Sequence, residues 1–88
     1  MNQLTQLSEN QRYDLLFALA ETAKVKATHF DSHTVTDSLI DLEDFSLIRY
    51  DEKLYQVAES LDNLTKTEIL DLIISTAQNL NQSEVKIA

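Results

Sequence analysis

Not one glycine or proline occurs in 88 residues, where an average chain of this length carries roughly 6 and 4. Glycine is the residue that enters positive φ without steric penalty, so tight two-residue hairpins of the Asn-Gly kind are absent. The phosphate-binding loop, the dinucleotide fingerprint, the nucleophile elbow and the usual calcium loop all place glycine at fixed positions, and none of them can be written in this sequence. Cysteine is absent too, which removes disulfides, thiolate nucleophiles, cysteine zinc sites and iron–sulfur ligation. Helices joined by short polar connections are what remains. With 43% hydrophobic residues the chain has enough apolar surface for a core and too much for a disordered tail. The expected fold is all-α: a single domain over residues 1–88, a small bundle of three to four helices, with an ordered core at about 8–80 and a frayed tail at 81–88.

Capping signals mark the helices. Ser8 and Gln11 have capping-box spacing, and the apolar segment from Tyr13 to Ala27 follows them. Leu15 to Ala20 is apolar on every side, which predicts a helix surrounded by neighbours; Tyr13, Phe17 and Phe30 are read as core. Thr28 to Ser38 is rich in residues that favour turns and caps, with Asp37 or Ser38 placed to start a second helix through Leu39, Ile40, Leu42, Phe45 and Leu47. Leu47, Tyr50, Leu54, Val57, Leu61 and Leu64 then alternate by three and four. Two arrangements fit that seam: one long helix from Ser38 to about Leu61, or a break near Tyr50 with Asp51 as cap and Tyr50–Tyr55 as hydrophobic staple. The break is preferred, because short helices bury more of a small chain than one rod does. Phe45 to Tyr50 has the composition of a short strand, but a lone strand finds nothing to pair with. Thr65-Lys66-Thr67-Glu68 is a second capping box, flanked by Leu64 and Ile69 at the staple positions. Asn63 is the residue expected to close the preceding helix in a left-handed conformation.

The net charge is -8, and its distribution is uneven. Residues 29–62 hold nine acids against Arg49 and Lys53, a balance of -7, while 1–28 are neutral and 63–88 carry -1. Asp37 and Asp51 suit helix starts; Asp62, near a helix end, has the wrong sign for the helix it follows. The acids of this middle third are either a solvated face or a docking face for a partner with a basic surface. The partner-binding residues expected on the second reading are Asp41, Glu43, Asp44, Tyr50, Asp51, Glu52, Tyr55 and Glu59. Direct nucleic-acid binding is disfavoured, because the field repels phosphate and Lys24 with Lys26 make no patch.

Signals for chemistry are weak. His29, His33 and Asp37 recur every four residues, but Thr34, Val35 and Thr36 between them are poor helix formers, so they read as loop residues and not as a metal site. Ser8 and Thr65 are explained by capping, and Glu21 with Lys24 is a surface pair. No catalytic residue, cofactor or metal is expected. No apolar run approaches the ~18 residues of a membrane span, and Met1 to Glu9 lacks the pattern of a secretory signal, which together point to a cytoplasmic protein. The expected function is that of a non-catalytic helical interaction or regulatory module, an adaptor; the alternative is an acidic inhibitor (an immunity protein, antitoxin or nucleic-acid mimic) that blocks a basic nucleic-acid-handling protein. Apolar surface in excess of what a thin bundle covers also predicts a homodimer. Sedimentation equilibrium at micromolar concentration is expected to return about twice the chain mass; a monomer with a cooperative thermal transition would remove that expectation.

Overall fold

The computed structural model describes residues 6–87, with side chains described as far as Gln82. Four helices make up the domain: α1 (Glu9–Thr28), α2 (Val35–Asp44), α3 (Glu52–Ser60) and α4 (Lys66–Ile87). No strand occurs among the described residues. The molecule is all-α, a small helical bundle.

Each helix begins where a side chain can accept its free N–H groups. Ser8 caps α1 in a complete box: the Gln11 N–H donates to Ser8 Oγ at 3.1 Å, and the Ser8 N–H donates to Gln11 Oε1 at 2.7 Å. Thr65 and Glu68 repeat the arrangement at α4, at 3.2 and 2.9 Å. Asp51 caps α3 through Leu54 N–H at 3.1 Å. The Tyr50 and Tyr55 rings lie 5.1 Å apart across that cap, so the staple forms and the break near Tyr50 is real. The cap of α2 differs from expectation. Thr34 is the N-cap and Asp37 is its reciprocal partner, with both bonds at 3.1 Å. The helix therefore starts ahead of Asp37 and Ser38, and Ser38 lies inside, fully buried.

Asn63, expected to close the helix before α4 in a left-handed conformation, does not adopt one; the left-handed residue lies at the end of α2. Ser46 has φ 60°, the only positive φ among the described residues. Its N–H donates to the Glu43 carbonyl at 2.9 Å, and the Leu47 N–H donates to the Leu42 carbonyl at 2.8 Å. These are the paired bonds of a Schellman closure. With no glycine available, serine takes the left-handed position at a steric cost of roughly 1 kcal/mol. The second helix consequently stops at Asp44, before Phe45 and Leu47.

The first helix organises the core. It packs against α4 on one side and α2 on the other, with α3 set against α2. Leu15, Ala18, Leu19, Val35, Leu39, Leu42, Leu54, Ala58 and Ile69 are buried together, and Ile48 turns the α2–α3 connection inward. The reading of Tyr13, Phe17 and Phe30 as core is corrected: all three are exposed. Tyr13 and Phe17 fall on the arc of α1 opposite the buried Leu15, Leu19 and Thr22. Phe30 lies past the helix end, which closes at His29. The proposed seam splits for a similar reason. Leu54 and Val57 are buried and Leu61 and Leu64 pack against them, but Leu47 and Tyr50 precede the α3 cap and face solvent.

Asp62 resolves its apparent misplacement through another helix. Its carboxylate accepts from the Thr36 N–H at 3.1 Å and from the Thr36 hydroxyl at 3.0 and 2.8 Å. Thr36 is in the first turn of α2, so the negative charge sits at a positive helix end after all.

Candidate functional site

The connection from Phe45 to Asp51 is a corner held at both ends. The Schellman closure fixes its start, the Asp51 cap fixes its finish, and Ile48 pins it to the core. Of its apolar side chains only Ile48 goes in. Phe45 is 76% exposed, Tyr50 62% and Leu47 56%. Single exposed apolar residues are ordinary; three on one short, fixed segment are not.

Acids border this corner. The Tyr55 hydroxyl donates to Glu43 Oε2 at 2.8 Å, joining α2 to α3 beneath Tyr50. Burial first, and then the Glu43 carboxylate, push the Tyr55 phenol up to about 12. Asp44 and Glu52 are exposed on either side. Asp51 is held below the usual carboxylate range, first by the Gln11 amide, which donates to its Oδ2 at 2.8 Å, and further by the backbone N–H groups it caps. That cap stays ionised at neutral pH. Asp14 on α1 lies on the same side and is pushed up, first by burial and then by the Asp51 charge.

Of the eight residues singled out from the sequence, six gather here: Glu43, Asp44, Tyr50, Asp51, Glu52 and Tyr55. Glu59 sits in the last turn of α3, exposed and away from the corner. Asp41 turns elsewhere, toward His33, whose Nε2 lies 3.9 Å from Asp41 Oδ2. Phe45 and Leu47 were missed as surface residues, because nothing in the sequence announces a helix stop after Asp44 when the left-handed residue is a serine.

A second cluster joins α1 to α2. Glu21, His33 and Asp41 bring one ligand-type atom each to within 4.8 Å of one another. Beneath them runs a chain of hydroxyls. Thr22 Oγ1 donates to the Ala18 carbonyl at 2.7 Å, Ser38 Oγ lies 2.6 Å from Thr22 Oγ1, and His33 Nε2 lies 3.0 Å from Ser38 Oγ. Glu21 is pushed up by burial and by the nearby Asp41 charge, against the Ser38 hydroxyl and His33, which pull it down. The predicted Glu21–Lys24 surface pair thus gives way to an inward-facing Glu21. His29 and Asp37 do not join His33: one closes α1 and the other caps α2. The two histidines are residues of the connection, as their neighbours Thr34, Val35 and Thr36 suggest, and His29 is the C-cap of α1.

No helix among the described residues is long and apolar enough to cross a membrane. No protein-family model matches the chain, and comparison with curated proteins and with solved structures finds no match.

Proposed function

We propose that this chain is a non-catalytic helical interaction module that binds a protein partner through the α2–α3 corner. The supporting observation is the exposure of Phe45, Leu47 and Tyr50 on one pinned connection bordered by Glu43, Asp44, Asp51 and Glu52. Interface energy concentrates in a few large side chains surrounded by polar groups that set orientation and on-rate. The matching surface on the partner is an apolar pocket ringed by lysine or arginine.

Affinity capture from the native cell extract, with bound protein quantified at low and high salt, tests this. The double variant Phe45→Ala, Leu47→Ala is expected to bind at least ~30-fold more weakly, a hot-spot effect of about 2 kcal/mol. The double variant Asp44→Lys, Glu52→Lys is expected to lose most of its binding at low salt, with a difference from wild type that shrinks as salt screens it. Equal capture by wild type and both variants would remove the corner from the function.

The concentration of charge in residues 29–62 favours a second reading, in which the partner is a basic nucleic-acid-handling protein and the acids stand in for phosphate. Added nucleic acid would then displace the captured partner. Failure to compete would leave the adaptor reading alone.

A further inference from the structure

We propose that Glu21, His33 and Asp41 form a binding site for a divalent transition-metal ion of the zinc class, between α1, the α1–α2 connection and α2. The site is distinct from the α2–α3 corner and does not rest on the function assigned there.

The donor set comes first. Two carboxylates and one imidazole, each within 4.8 Å of the others, are three protein ligands of the N and O types that zinc takes, with a fourth position left for water. Calcium and magnesium prefer six or more oxygens, and an imidazole among three donors selects against them. Two carboxylate charges balance a divalent cation. His33 is mostly enclosed, its side chain 13% exposed, while Asp41 is 48% exposed, so the cluster opens to solvent on the Asp41 side.

The second observation is independent of spacing. Glu21 Oε2 is fully enclosed and has no hydrogen-bond partner. A buried carboxylate oxygen left this way is strongly unfavourable, and such groups call for an explanation. The local proton count does not supply one. Thr22 has one hydroxyl proton and gives it to the Ala18 carbonyl. Ser38 therefore gives its own to Thr22, and its oxygen is left to accept from His33 Nε2. Asp41 faces the same space and is a further acceptor. With these protons placed, Glu21 Oε2 stays without a hydrogen-bond partner beside Asp41 and His33. A cation among the three supplies what is missing. His33 then moves its proton to Nδ1 and presents the Nε2 lone pair, exchanging its bond to Ser38 for the metal.

The test uses the full chain, stripped with a chelator and titrated with Zn2+ by calorimetry at neutral pH, with Co2+ as a spectroscopic substitute. The expected result is one ion per chain, a rise in melting temperature with added Zn2+, and visible bands of low-coordinate Co2+. Glu21→Gln, His33→Gln and Asp41→Asn are each expected to weaken binding at least tenfold. Glu21→Gln should fold at least as well as wild type without metal, since it removes the orphaned charge, so its loss of binding cannot be read as unfolding. His29→Gln should bind as wild type does. Absence of stoichiometric binding at micromolar Zn2+ would overturn the proposal. So would binding that survives both Glu21→Gln and His33→Gln, or that His29→Gln abolishes.

Discussion

Replacing Leu39 with alanine is expected to lower stability by about 2–5 kcal/mol, the range for emptying a buried leucine position. Leu39 is fully buried at the middle of α2, and α2 packs against both α1 and α3. The cavity would lie between three helices that are fixed by caps at their starts, so the surroundings have little room to collapse. A domain of this size has a total stability of roughly 4–13 kcal/mol, and the loss is therefore a large fraction of the whole. Urea unfolding followed by circular dichroism should show a markedly lower midpoint with an unchanged slope. Ile40→Ala, one residue along on the half-exposed side of the same helix, should change stability by no more than about 0.5–1 kcal/mol. Equal effects at 39 and 40 would mean that α2 is turned differently from the arrangement described.

Asp62→Ala should have the next largest effect, about 2 kcal/mol. One carboxylate satisfies the N–H and the hydroxyl of Thr36. Hydrogen bonds to an ionised group contribute about 1.5–3 kcal/mol, and the charge adds a few tenths at the positive end of α2. For a domain this small the melting temperature should fall by roughly 8–16 °C. Thr36→Ala removes the hydroxyl and keeps the N–H, so it should destabilise by less. The double variant should show a coupling energy of about 1 kcal/mol, because the two residues share one interaction. Strict additivity would indicate that Asp62 acts only through its general charge.

What was legible in the sequence was what is local. The boxes at Ser8–Gln11 and Thr65–Glu68 and the Tyr50–Tyr55 staple each lie within five residues, and all three form as spaced. The α2 start was misplaced because its box uses aspartate where glutamate or glutamine is the usual signal. Asp62 and Thr36 are 26 residues apart, and no periodicity links them. The same division runs through the candidate sites. Glu43, Tyr50, Tyr55 and their acidic neighbours lie together because they flank one turn. Asp41 lies instead beside Glu21 and His33, a placement that needs the packing of α1 on α2 and has no local signal. Phe45 and Leu47 have the composition of core, and only the closure at Ser46 turns them outward.

The first and last helices are each other's main partners. Arg12 at the start of α1 bonds Asn79 far along α4, and Ile69 of α4 completes the cluster that contains Leu15 and Leu19. During synthesis, then, the helix made first waits for the one made last. One whole flank of α1 stays uncovered while α2 and α3 emerge, and it is sealed only when α4 arrives. That interval is when a nascent chain of this kind is most open to aggregation, and most in need of a chaperone.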